Sequence, residues 1–256
     1  MRNTINILNV LIDNVTMKEA INKILFFLCS KEDKVHTIYT PNAEIIMTAK
    51  RDIELKNILN DASLLIADGA GVVIASKILS TPLPERVAGF DLISNLFNTS
   101  SNKNSNNKLK YFLFGGKPGI AEKAASNILI KYNYVEIVGC LHGYYEKENK
   151  DEDKNNIIEI INSSGADILL VALGAPKQEK WIHKNKNFLK TKICIGVGGS
   201  FDIFASVSTR APRFFCENNL EWLYRLYKEP WRFIRMLDLP KFIFFIILKK
   251  LFKRII

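Results

Sequence analysis

The segment Ile168–Gly199, ILLVALGAPKQEKWIHKNKNFLKTKICIGVGG, decides the fold. It holds two nearly continuous apolar runs, Ile168–Ala172 and Ile193–Val197, each handing over to a glycine turn. Between them, Lys177–Asn187 sets Trp181 and Ile182 among charges in an amphipathic, helix-like stretch. Short unbroken apolar runs are what strands buried on both faces require, and parallel neighbours need a crossover, usually a helix. The alternation extends outward. Strand-like pieces are Thr4–Leu8, Val35–Tyr39, Leu64–Ala67, Tyr111–Phe114 and Val135–Val138. Amphipathic stretches fall at Met17–Leu28, Glu44–Asn60, Val72–Leu79, Ile120–Tyr132 and Asp153–Asn162. The expected fold is therefore α/β: a Rossmann-like, mostly parallel sheet with helices on both faces.

After Ser206 the strands stop, and helical segments rich in Arg, Trp and Phe begin. The expected division is a core over residues 1–205 and a helical, basic and aromatic appendage over residues 206–256. Asn98–Lys110, NTSSNKNSNNKLK, is too polar to bury a core and reads as a surface loop.

Composition removes several classes. With 256 residues, 48% hydrophobic and 24% charged, the chain has ample material for a core, which excludes global disorder and a fibrous rod. Cys29, Cys140, Cys194 and Cys216 lie far apart without a CxxC pair, so neither a zinc ribbon nor a disulfide framework is expected. His36, His142 and His183 show no HExxH spacing. The first residues, MRNTINILNVLIDN, place Asn and Asp inside any apolar stretch and do not read as a signal peptide. The net charge is +10, and from Pro240 onward Lys241, Lys249, Lys250, Lys253 and Arg254 supply half of it with no acid present. Such polarity calls for an anionic partner: nucleic acid, acidic lipid or a phosphorylated substrate.

In open parallel sheets, ligands bind outside the carboxyl ends of the strands. Five polar or glycine-rich turns follow strands here: TPNAE from Thr40, DGAG from Asp68, GGKPG from Gly115, GAPKQE from Gly174 and GGSFD from Gly198. Together they would line one rim. Asp68, at a strand tip before Gly69, is either a helix N-cap or a general base. Thr40 and Asn42 offer neutral hydrogen bonds suited to a hydroxyl-rich ligand. The turn around Lys117 would let backbone N–H groups meet a phosphate, or is simply a tight turn. It lacks the spacing of a Walker loop, and no full GxGxxG exists. Asp151–Asp153 matches DxD, a metal-binding signature, but sits in a charge run that reads as a solvated helix start. Arg232 and Arg235, spaced i, i+3 on one face, could grip a diphosphate or form an ordinary amphipathic surface.

In order, TPNAE, IADGAGVV, RVAGFDL, FGGKPG, ALGAPKQEKWI, GVGGSFD, RAP and LEWLYRLYKEPWRFIR span roughly Thr37–Arg235. This series resembles the WecG/TagA/CpsF glycosyltransferases. The resemblance implies an inverting, metal-independent enzyme without a cofactor. It would move N-acetylmannosamine or a related sugar from a UDP-sugar to undecaprenyl-diphosphate-linked N-acetylglucosamine, for teichoic acid or another surface polysaccharide. By matching motif it implies Asp68 as general base, and Thr40 and Asn42 in the acceptor pocket. Arg86 and Gln178 fall on pocket positions, Asp202 near the nucleotide, and Arg225, Arg232 and Arg235 on arginines that meet the diphosphates. One departure is visible: Ser206 and Ser208 occupy a stretch that carries Gly in the family.

A nucleotide-binding oxidoreductase on the same kind of sheet is the alternative, but it lacks its glycine fingerprint. The basic charge is concentrated in a tail that also carries FIFFIIL, which favours lipid over nucleic acid. A spanning helix needs ~20 apolar residues, whereas Phe242–Leu248 provides seven before Lys249 interrupts. The tail is therefore expected to lie in the interface, the alternative being a C-terminal helix packed on the sheet or in an oligomer contact. An interfacial tail implies a cytoplasmic enzyme held peripherally on the inner face of the cell membrane. The expected partners are the UDP-sugar, the lipid-linked acceptor, an anionic membrane surface and, as an alternative use of the tail, a second copy in a homo-oligomer.

Overall fold

The computed structural model describes residues 2–99, 108–144, 152–217, 220–228, 230, 233 and 237–252. Six strands form one parallel sheet, in spatial order β4-β3-β8-β7-β5-β6. They are β3 (His36–Tyr39), β4 (Leu64–Leu65), β5 (Lys110–Gly115), β6 (Glu136–Leu141), β7 (Ile168–Ala172) and β8 (Ile193–Gly196). β7 matches its expected bounds, and the other five strands of the sheet shift by only a few residues.

The sheet is buried on both faces because its side chains alternate between two apolar layers. Tyr39, Leu65, Phe112, Phe114, Leu169, Val171 and Cys194 face one layer. Ile38, Leu64, Tyr111, Leu113, Ile168, Leu170, Ile193 and Ile195 face the other. The first layer is covered by α2 (Ala43–Arg51), α3 (Ile53–Asn60), α4 (Ala70–Ile78), α7 (Glu152–Ser163) and α8 (Lys177–Asn185). The second is covered by α1 (Met17–Cys29), α5 (Gly89–Thr99), α6 (Ile120–Lys131) and α9 (Ser200–Phe204).

Three local readings are corrected. Thr4–Leu8 is not a strand of the main sheet: β1 (Thr4–Ile7) pairs antiparallel with β2 (Val10–Asp13) in a separate hairpin. Leu8 and Asn9 carry φ of 51° and 69°, the positive values that a two-residue hairpin turn demands, so the chain reverses before any crossover. Glu44–Asn60 is two helices. Asp52 ends α2 and N-caps α3 by accepting from the Leu55 N–H at 3.0 Å. The sequence reading also passed over α5, whose Leu92, Ile93, Leu96 and Phe97 are buried at helical spacing.

After α9 the described chain is helical: α10 (Arg213–Glu217), α11 (Glu221–Lys228) and α12 (Asp238–Phe252). The basic tail is not free along its length. Phe242 and Ile246 of α12 are fully buried, and α12 packs on α2 and α4. Arg51 grips Asp238 through both nitrogens, at 3.1 and 2.8 Å, which pins the start of α12 to the end of α2. Lys249 donates to the Asn6 carbonyl and side chain.

Of the two serines in the stretch before RAP, Ser206 stands at a strained backbone position. Ser206 adopts a left-handed φ of 55° and follows the tight turn that ends α9. A side chain there costs roughly 1 kcal/mol, part of which glycine loses again through greater freedom when unfolded. Ser206→Gly should therefore raise stability by about 0.5 kcal/mol, a rise in Tm of ~1–2 °C. An unchanged or lower melting temperature would show that the turn tolerates serine without strain.

Candidate active site

The rim is created by where the chain leaves each strand. β3 hands over to α2 on one face, while its neighbour β8 hands over to α9 on the opposite face. The outgoing segments diverge at the carboxyl ends, the position where open α/β sheets bind ligands. The same divergence recurs between β7 and β5, which lead to α8 and α6.

On the β3/β4 side three loops are tied together through their backbones. Asp68 N–H donates to the Pro41 carbonyl at 3.2 Å, and Val87 N–H donates to the Ala67 carbonyl at 3.2 Å. Thr40 lies directly against Gly89, where a Cβ would come within 2.8 Å of its hydroxyl oxygen. Only glycine permits that approach, which gives the glycine of RVAGFDL a role in seating Thr40. Asn42 is the N-cap of α2: its side-chain oxygen accepts from Ile45 N–H at 2.9 Å. Its amide nitrogen makes no hydrogen bond among the described residues. Asp68 is not a cap. α4 begins after Gly69, which supplies no side-chain capping bond.

Thr40, Asn42, Asp68 and Arg86 thus converge from three loops. The Arg86 Nη2 lies 3.9 Å from the Asp68 Oδ1 and also contacts the Glu221 carboxylate of α11. Asp68 keeps 32% of its side chain exposed, whereas Arg86 keeps 17% and Glu221 14%. Burial opposes the charge on Arg86, yet the Asp68 and Glu221 carboxylates outweigh it and hold the guanidinium above its ordinary range. The Arg86 Nε is buried without a hydrogen-bond partner. Next to this cluster, Arg210 of RAP pairs with Asp91 of RVAGFDL at 2.6 Å.

The β8/β7 side is built on Gln178. This residue is buried, and both ends of its amide are used inside the protein: Nε2 donates to Glu179 Oε1 at 2.9 Å, and Oε1 accepts from Gly198 N–H at 3.0 Å. Gln178 lies beneath the rim and fixes the Gly198 turn from below. Burial holds the Glu179 carboxyl above the ordinary carboxylate range. Asp202 sits on α9, half-buried, and its carbonyl accepts the N–H groups of Val207 and Ser208. Phe201 of α9 reaches to within about 4.0 Å of the Gly116 position, so GVGGSFD and FGGKPG face each other. A Cβ at Gly115 would overlap the Ala172 carbonyl, which makes that turn a close crossing of two backbones. Lys117 is exposed on it.

Arg232 and Arg235 lie outside the described residues, as does Asp151. α11 carries Arg225, whose side chain is not among those described. Among the described residues no three His, Cys, Asp or Glu side chains gather to hold a metal. Sequence reasoning missed Glu221, because an acid in the first turn of a helix already has a sufficient reason in the helix dipole. Its contact with Arg86 crosses 135 positions, and no local pattern announces it.

Comparison with known proteins agrees with the order of these turns. A family model described as "Glycosyl transferase WecG/TagA/CpsF family" matches residues 5–255. A Bacillus subtilis (strain 168) protein named N-acetylglucosaminyldiphosphoundecaprenol N-acetyl-beta-D-mannosaminyltransferase is 35% identical over 205 residues, 80% of this chain and 76% of the relative. Proteins of the same name from Bacillus spizizenii and Staphylococcus aureus (strain MRSA252) are 34% and 32% identical, covering 83% and 94% of this chain and 79% and 91% of theirs. A match that runs through every rim turn and on into the terminal helix leaves the oxidoreductase reading without support: the chain belongs to the WecG/TagA/CpsF family of glycosyltransferases.

Proposed function

We propose that this glycosyltransferase moves N-acetylmannosamine or a closely related sugar from a UDP-sugar to undecaprenyl-diphosphate-linked N-acetylglucosamine, with inversion and without a metal. The product would enter teichoic acid or another surface polysaccharide. The observation that carries the reading is the convergence of Thr40, Asn42, Asp68 and Arg86 at the carboxyl ends of β3 and β4. In this scheme Thr40 and Asn42 orient the acceptor sugar, and Asp68 takes the proton from its attacking hydroxyl. The freed oxygen pair forms the new bond at the anomeric carbon as the bond to UDP breaks on the opposite side, which inverts that centre. Gln178 shapes the turn at Gly198, and Asp202 flanks the nucleotide. The direct test is release of UDP by the full chain in detergent, given a lipid-diphosphate N-acetylglucosamine analogue and a panel of UDP-sugars. One donor should support release; none doing so would overturn the reading.

The leaving diphosphate develops charge that must be offset, and Arg225, Arg232 and Arg235 supply guanidinium groups for that purpose in the appendage, residues 206–256. Turnover should persist in EDTA, and Arg232→Ala or Arg235→Ala should each cut kcat by ~10²–10³-fold. Strict dependence on added Mg²⁺ would contradict this and return Asp151–Asp153 to consideration.

The same proposal places the enzyme peripherally on the inner face of the membrane. No helix among the described residues is long and apolar enough to cross a bilayer. α12 presents Phe244, Ile247, Leu251 and Phe252 outward, while its other face is buried on the protein. An outward apolar face beside Lys241 and Lys250 suits an anionic leaflet.

A further inference from the structure

We propose that Glu221 is a positioning residue that holds the Arg86 guanidinium off the Asp68 carboxylate; this rests on the reading of Asp68 as the base. Both carboxylates address the same nitrogen, Arg86 Nη2. Glu221 Oε2 is in hydrogen-bond contact with it, and Asp68 Oδ1 stands at 3.9 Å, beyond hydrogen-bond reach. Arg86 and Glu221 are largely covered and Asp68 is partly so, and water therefore screens the competition less than it would at the surface. A carboxylate that accepts a hydrogen bond from a guanidinium is held in its charged form and becomes a poor proton acceptor. Glu221, taking that hydrogen bond, keeps the Arg86 guanidinium from closing on Asp68.

Among the described residues, the charges around this group come from three elements. Asp68 precedes α4, Arg86 precedes α5, and Glu221 opens α11. Asp91 of α5 also attracts Arg86, and it is itself paired with Arg210 at 2.6 Å, which in turn lies within the field of Glu221. Arg210 is thus paired with Asp91, and among the described residues Arg86 is the cation in hydrogen-bond contact with Glu221. Because Glu221 belongs to α11, the base is set only while that helix is docked over the rim.

The test uses the full chain in detergent, with the UDP-sugar and lipid-diphosphate analogue that support UDP release. Glu221→Gln is close to isosteric and removes only the charge. Arg86 should then close on Asp68, and the acid limb of kcat/KM against pH should move about one unit lower. The plateau kcat should fall about 3–10-fold, because a weaker base transfers the proton less well, while the donor KM should stay within about twofold of the parent. Glu221→Asp keeps the charge with a shorter reach and should show part of the shift; it also serves as the readout if circular dichroism finds Glu221→Gln unfolded. A purely structural contact would lower activity without moving the limb. An acid limb that stays in place in both variants, with Asp68→Asn inactive, overturns the role of Glu221 alone. Full activity in Asp68→Asn overturns the base reading and this inference with it.

Discussion

Asp68→Asn should lower turnover by ~10²–10⁴-fold, the usual contribution of a positioned base, while the melting temperature stays close to that of the parent. The structure makes this a clean substitution. The loop is held by the Asp68 backbone N–H on the Pro41 carbonyl, and Gly69, not Asp68, caps α4. Losing one carboxylate oxygen therefore removes no capping bond. The change also leaves Arg86 its contact with Glu221. Asn42 would be a poorer probe, since its side-chain oxygen caps α2 and its loss costs about 1 kcal/mol of stability besides any loss of binding. Wild-type rates in Asp68→Asn, measured as UDP release under saturating donor, would sink the assignment. An unfolded variant would show that the carboxylate is structural.

The second large effect separates the two faces of α12. Phe244, Ile247, Leu251 and Phe252 are exposed, whereas Phe242 and Ile246 are core residues. Changing the four exposed residues to Ser should reduce binding to anionic vesicles by ~10²–10³-fold, taking each apolar side chain at less than half its value for full burial. Folding should be little affected. Phe242→Ala should do the reverse: about 3–5 kcal/mol lost from stability, with vesicle binding of the folded protein retained. Ending the chain at Leu239 would mix both effects, because it deletes the buried pair together with the outward face. Flotation of the four-residue variant equal to that of the parent would remove the membrane role of this helix. Its outward face would then be left for a contact with a second copy of the chain.

How much of this was legible in the sequence follows from the range over which each force acts. The apolar runs of β5, β7 and β8 and their glycine turns are local patterns: a strand buried on both faces must be apolar throughout, and a turn into a helix must leave room for its backbone. The order of the turns carried the family, and strand polarity put them on one rim. The hairpin β1–β2, by contrast, differs from a sheet strand only in what it pairs with, and its two positive-φ residues are not glycines that would have marked the turn.

The seat of α12 was equally hidden. Its FIFFIIL run is apolar all round, and only the presence of α2 and α4 selects Phe242 and Ile246 as the buried face. Gln178 reads as a polar rim residue until the fold turns its amide inward to Glu179 and Gly198. The sequence by itself thus determined the fold class, the family and the convergence of Thr40, Asn42 and Asp68, because hydrophobic period and turn chemistry act between near neighbours. Tertiary structure alone decided that Glu221, 135 positions from Arg86, shares its guanidinium with Asp68. Coulomb attraction depends on distance in space, and that distance exists only once the chain has closed on itself.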